Sequence, residues 1–175
     1  MTPDSFRERY ERELATDLGN LLSRTTAMIA RYRDGRLEPA PDESSELAEA
    51  TRALHDDIPA AFDRWDVTGA LESIWDYVRR LNRHVEQTKP WELAKDPERA
   101  TELDRALYEL ADGLRIAAIA LSAYLPGTSE RILEALDQPL DVAWDNVAYG
   151  RTGTISGVEP SQPLFPRIDE PATAA

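Results

Sequence analysis

The sequence predicts an all-α fold, a bundle of about five helices with an irregular C-terminal tail docked on it. Glycine is sparse, at 8 of 175 residues, while Ala, Leu, Arg and Glu are abundant, which favours helices. Apolar residues recur at three- and four-residue steps, and few β-branched runs are present to form strands. Hydrophobic residues make up 42% of the chain, which is enough to bury one sizeable core, so we expect a single folded unit.

The first helix is predicted over residues 5–32, where an apolar stripe recurs with helical spacing. Asp34 and Gly35 follow it, and glycine is the residue that most readily ends a helix. A loop with two prolines then leads to Asp42, whose side chain can cap the next helix.

The second helix should follow Asp42, and its apolar stripe ends at Trp65. Asp66 or Thr68 can cap the third helix, which keeps an apolar period and carries arginines on its polar side. We expect that helix to end near Gln87, and we assign Trp65 to the core or to the docking of the tail.

A proline corner separates the third helix from the fourth. Pro90 disfavours helical geometry at Lys89, so Trp91 should open a short new segment. The fourth helix, predicted over residues 98–124, is apolar nearly all round in its second half and is the expected central helix. Pro126 and Gly127 are predicted to end it. The fifth helix, capped by Thr128, is short and spans residues 128–136.

The bundle therefore occupies residues 1–137, and prolines, glycines and isolated apolar residues predict an irregular tail over 138–169. We expect residues 170–175 to be disordered. Trp75 is assigned to the core. The apolar side chains expected to dock the tail are Trp144, Leu164, Phe165 and Ile168.

The net charge of −13 argues against general nucleic-acid binding, because polyanions attract basic surfaces. The charge is uneven, however. Residues 20–36 and 77–91 each carry four bases and one acid, whereas residues 37–66 carry nine acids and two bases. Charge alone favours ordinary solvated helix faces as the explanation.

Several functions are disfavoured by composition. The chain has no cysteine, so it can form no disulfide or cysteine-ligated zinc site, and we expect no bound metal. No apolar run is long enough to cross a membrane, and we expect a soluble, cytoplasmic protein. His55 and His84 are the only histidines, they lie in no ligand-like cluster, and no glycine-rich phosphate loop occurs. We therefore expect no catalytic residues.

Two small groups of residues are candidates for binding RNA. Asn20 and Arg24 are one helical turn apart on a polar face that Arg31 continues, and an amide and a guanidinium can read base edges. Pro90 can present Trp91 at a helix corner, where a mostly exposed indole could stack on an unpaired base. The alternatives are that Asn20 and Arg24 are routine surface residues and that Trp91 has only a packing role.

Three segments, RYERELATDLGNLLSRT (residues 9–25), LNRHVEQTKPWELAK (81–95) and PLFPRID (163–169), together resemble the C-terminal region of methionyl-tRNA synthetases. In that family the helical bundle binds the CAU anticodon of methionine tRNA. A Trp after a Pro stacks on an anticodon base, and an Asn and an Arg four residues apart contact the anticodon through polar groups. The resemblance implies these roles for Trp91 with Pro90, and for Asn20 and Arg24.

The catalytic signatures of the family are missing from the sequence. The resemblance therefore implies that ATP and methionine bind a catalytic domain outside this chain, which would hold no cofactor and be inactive alone. Its expected partners are that catalytic domain and the anticodon loop of tRNA(Met), and we expect a monomer. The alternatives are a derived helical protein-interaction module that does not bind RNA, and the equivalent domain of another class I synthetase.

Overall fold

Five long helices dominate the computed structural model, which describes residues 10–165 and confirms the predicted all-α class. Ile168 and the predicted disordered end lie outside the described residues. A π-helical segment, Tyr10–Gly19, continues directly into the first α-helix. The α-helices are α1 (Asn20–Arg33), α2 (Glu46–Asp63), α3 (Val67–Thr88), α4 (Pro90–Leu93), α5 (Ala100–Leu121) and α6 (Pro126–Ala135), and 3-10 turns lie at Pro97–Arg99 and Trp144–Asn146.

Three helix ends lie where local chemistry predicted them. Asp34 and Gly35 have positive φ angles of 51° and 74° and end α1. Asp66 caps α3, because its side chain accepts the backbone N–H of Gly69 at 2.9 Å. Lys89 has a φ of 45°, which breaks the helix before Pro90.

Other helix ends differ from the prediction. Ser45, not Asp42, caps α2, and its hydroxyl accepts the N–H of Ala48 at 3.2 Å. Asp42 instead accepts both the N–H and the hydroxyl of Ser44, which competes with capping. The fourth predicted helix ends early, at Leu121, and α6 already begins at Pro126, whose fixed φ suits a first helical position.

Trp65 corrects a second expectation. It is 90% exposed and belongs to neither the core nor the tail contact. The reason is that α2 ends at Asp63, and Trp65 follows in a tight turn with a φ of 60°. Trp75, by contrast, is 5% exposed and lies in the core as predicted.

Helix α5 is the centre of the bundle and is buried from Ala106 through Leu121 on all sides. It packs against α1, α3 and α6. Gly113 permits the close approach of α3, because a Cβ at that position would overlap the side chain of Leu81. The central position predicted for this helix is therefore observed.

A buried ion pair in the middle of α5 holds the tail. Asp112 and Arg115 are one turn apart, and Arg115 Nη2 lies 2.8 Å from Asp112 Oδ1. Each side chain also binds backbone atoms of the tail at 2.7–3.0 Å. Those atoms are the N–H groups of Gly150 and Thr152 and the carbonyl oxygens of Asn146 and Ala148.

The tail also pairs with the chain that follows α1. Two short strands, β1 (Arg36–Leu37) and β2 (Ile155–Ser156), form an antiparallel pair that the sequence did not predict. Farther along, Leu164 is buried and Phe165 packs against the core. The Trp144 ring stacks on His55 of α2, with their centroids 5.7 Å apart. Among the described residues, no helix is long and apolar enough to span a membrane.

Candidate nucleic-acid interface

The first candidate pair lies on the solvent side of α1. Asn20 opens the helix and Arg24 follows one turn later, and both are exposed. Their neighbours Leu21, Leu22 and Thr25 are buried, because they occupy the opposite side of the same helix. The structure therefore leaves the amide and the guanidinium directed away from the core, as the helical spacing predicted.

The second candidate lies at the corner between α3 and α5. Lys89 adopts a left-handed conformation, its carbonyl oxygen accepts the N–H of Glu92 at 2.8 Å, and the chain turns sharply into α4. Pro90 is buried, which anchors the corner, and Trp91 is only partly buried. The expectation of a mostly exposed indole was wrong, because the ring also packs against the core.

The structure brings Arg24 and Trp91 together, although they are far apart in the sequence. The guanidinium carbon of Arg24 lies 5.6 Å from the centroid of the Trp91 ring, within the range of a cation–π contact. The same guanidinium donates from Nη2 to Glu86 Oε1 at 2.9 Å. Arg24, Glu86 and Trp91 therefore form one surface cluster, which we call the Arg24 cluster.

Glu86 is the member of this cluster that sequence reasoning missed. It lies in the last turn of α3 and appears in the sequence as a single acid in a basic stretch. The side chains of Arg24 and Glu86 are 43% and 61% exposed, so water screens their attraction and the pair adds little stability. Its main effect is to hold the guanidinium over the indole ring.

Helices α1 and α3 run in the same direction at this site. Asn82 of α3 donates to the carbonyl oxygen of Asp17, just before α1, at 2.9 Å. Farther along both helices, Glu86 meets Arg24. Exposed side chains of the two helices therefore meet at the Arg24 cluster, while α3 packs against the π-helical segment that precedes α1.

The chemistry of this surface suits recognition of an unpaired base. A guanidinium has five N–H donors, so Arg24 retains donors beyond the one that binds Glu86. The exposed amide of Asn20 offers both a donor and an acceptor. The partly exposed indole of Trp91 provides an aromatic surface on which a base can stack.

The polar cluster around Glu109 is built differently and has a structural role. His84 Nε2 lies 3.0 Å from Glu109 Oε2, and the Tyr149 hydroxyl donates to Glu109 Oε1 at 3.0 Å. Burial raises the pKa of Glu109, but the nearby His84 and hydrogen bonds from Ser45 and Tyr149 outweigh it and hold the pKa below its ordinary value. Glu109 is 4% exposed, so this cluster ties α3 and the tail to α5 without facing a substrate.

A metal site is not apparent in the described part of the chain. Within residues 10–165, no three His, Asp or Glu side chains are grouped closely enough to hold a metal ion.

Comparisons with known proteins find relatives that match nearly the whole chain. The chain matches no established protein-family model. It is 36% identical to the methionine–tRNA ligase of Bacillus subtilis over 96% of its length, and 38% identical to that of Deinococcus radiodurans over 94%. It spans about a quarter of these relatives, 26% and 24% respectively. It also superposes on a crystal structure of free Mycobacterium tuberculosis methionyl-tRNA synthetase with a TM-score of 0.83 and 28% identity, covering 98% of this chain and 36% of that one.

Proposed function

The chain belongs to the methionyl-tRNA synthetase family and matches the C-terminal region of its members, and we propose that it binds the CAU anticodon of methionine tRNA. In this proposal the chain supplies tRNA selectivity to a methionine–tRNA ligase. Methionine and ATP bind the part of the enzyme that the chain does not span. The catalytic domain is then its partner within one enzyme, which we propose to be monomeric and cytoplasmic.

The contact between Arg24 and Trp91 is the observation that carries the proposal. The resemblance implies anticodon roles for residues on two separate segments, which can serve one RNA loop only if the fold places them side by side. The 5.6 Å distance from the guanidinium to the indole meets that requirement. Asn20 lies one turn away from Arg24 on the same exposed face.

The proposed roles differ in their dependence on base identity. Stacking on Trp91 tolerates any base, because every base has an aromatic face. Hydrogen bonds from Asn20 and Arg24 depend on the donors and acceptors at the base edges, so they can discriminate. The buried Pro90 holds the chain at the corner from which Trp91 projects.

These roles are separated by titrating two RNA stem-loops, one with a CAU anticodon and one with a changed anticodon. Trp91→Ala should weaken binding to both loops by about 1–3 kcal/mol and leave the preference for CAU largely intact. Asn20→Ala and Arg24→Ala should instead reduce the difference in affinity between the CAU loop and the changed loop. Circular dichroism of each variant checks that the bundle remains folded.

The alternative function is a helical protein-interaction module that no longer binds RNA. The net charge of −13 favours this alternative, as does the neutralisation of Arg24 by Glu86. The same titration decides between the two functions. If the unmutated chain prefers neither loop even at low salt, anticodon recognition is refuted for this chain and the interaction module becomes the better explanation.

A further inference from the structure

Two exposed arginines next to the Arg24 cluster have no acidic partner among the described residues. They are Arg31 on α1 and Arg83 on α3. Within residues 10–165, the interaction found for the Arg31 guanidinium is with an aromatic ring, its carbon lying 5.7 Å from the centroid of Tyr32. The neighbouring arginines, in contrast, each have an acidic partner: Arg24 pairs with Glu86, Arg33 with Asp104, and Arg79 with Asp76.

The two unpaired arginines lie on opposite sides of the Arg24 cluster. Arg31 is seven residues beyond Arg24, which is about 10 Å along α1. Arg83 is three residues before Glu86, which is about 4.5 Å in the reverse direction along α3. Since the two helices run in the same direction here, the charges are separated by about 15 Å along the bundle.

This arrangement suits an extended polyanion. Stacked nucleotides advance about 3.4 Å each and splayed ones advance more, so about 15 Å corresponds to roughly three or four nucleotides. An acidic protein repels RNA over most of its surface, and unpaired cations on the two sides of the Arg24 cluster would set where the backbone can lie. The setting of Arg80, which is also unpaired, is different, because it lines a crevice with Glu46, Glu49 and Asp57.

We infer that Arg31 and Arg83 bind backbone phosphates on the two sides of the bases that contact the Arg24 cluster. The inference rests on the proposed function and adds to it the path of the RNA strand across α1 and α3. Phosphates are present in every sequence, so these contacts fix the position of the loop and do not discriminate between anticodons.

The salt dependence of binding tests the inference. For single-stranded RNA, each phosphate contact contributes about 0.7 to the slope of log affinity against log salt concentration. Arg31→Gln and Arg83→Gln should each reduce that slope by about 0.7, and the double variant by about 1.4. As salt is raised from about 50 mM to about 200 mM, the ratio of the unmutated chain's affinity to that of the double variant should therefore fall by about sevenfold. Arg31→Lys should keep the slope, because it keeps the charge.

Arg64→Gln is the matched control, because Arg64 is also exposed and unpaired in the described chain. Arg64 lies at the end of α2, just before α3, whose first residue is about 28 Å from Glu86 along the helix, so its removal should leave the slope unchanged. The inference is overturned if the double variant keeps the slope of the unmutated chain, or if Arg64→Gln lowers it equally. Comparison of the CAU loop with the changed loop tests anticodon recognition separately from the phosphate contacts. If the unmutated chain shows no preference for the CAU loop, anticodon recognition is refuted, whatever the salt slopes are.

Discussion

Replacement of Asp112 by alanine should lower the free energy of unfolding by about 3–5 kcal/mol, because it leaves the guanidinium of Arg115 buried without a counter-charge. Asp112 is fully buried and accepts five hydrogen bonds, two from Arg115 and three from the tail. Arg115 is itself only 5% exposed, so water cannot replace the lost carboxylate without opening the structure. The tail donors from Gly150 and Thr152 would lose their acceptor as well.

Urea unfolding followed by tryptophan fluorescence and by circular dichroism measures this change. Glu102→Ala is the control, because Glu102 also pairs with an arginine three residues away, at the start of α5, but in an exposed position. Solvent screens that pair, so the control should unfold at nearly the same urea concentration as the unmutated chain. Asp112→Asn keeps the shape and one acceptor oxygen, so its stability should fall between those of the alanine variant and the unmutated chain.

Unfolding of Asp112→Ala at the same urea concentration as Glu102→Ala would refute the predicted role of the ion pair. That result would mean that Arg115 finds adequate partners without Asp112, and that attachment of the tail does not depend on this carboxylate. A destabilised Asp112→Ala whose far-ultraviolet spectrum is native below the transition would support the ion pair as the anchor of the tail.

Two further predictions concern the core and the pH dependence of stability. Trp75→Ala should lower the free energy of unfolding by about 3–5 kcal/mol. Trp91→Ala should lower it less, because its ring is only partly buried. If urea melts show that Trp91→Ala is the less stable variant, packing is the main role of Trp91. The pKa of Glu109 is held below its ordinary value of 4.5, so its ionised form stabilises the fold above that value, and the contribution is lost as the pH falls through the lower folded pKa. In urea melts at several pH values, Glu109→Gln should therefore flatten the loss of stability that accompanies a fall in pH below about 4.5, and an unchanged pH profile would contradict this assignment.

The sequence by itself determined the class of fold and most helix positions, because those depend on neighbouring residues. Apolar spacing placed the helices, glycine at position 35 marked the end of α1, and Pro90 excluded helical geometry at Lys89. The errors arose where two local solutions compete. Asp42 and Ser45 can both cap a helix, and Ser45 does so because Asp42 binds Ser44 and, across the fold, Arg105.

The candidate site was predictable only in parts. Helical spacing showed that Asn20 and Arg24 share an exposed face, and the proline corner indicated a special position for Trp91. Arg24 contacts Trp91 and pairs with Glu86, although both partners are far from it in the sequence. No helical or strand period relates residues that are so far apart. Such contacts depend on how α1 and α3 are placed around α5, which no local pattern specifies.

Only the tertiary structure decided whether several side chains are buried or exposed, because the sequence pattern does not distinguish them. Asp112 and Arg115 appear in the sequence as ordinary charges on a helix, yet both are buried because the tail crosses α5 at that point and supplies their partners. Trp65 appears as a core residue, yet it is exposed because α2 ends two residues before it. Burial is a property of what other segments cover, so local periodicity can predict which face of a helix is apolar but not which charges the rest of the chain will enclose.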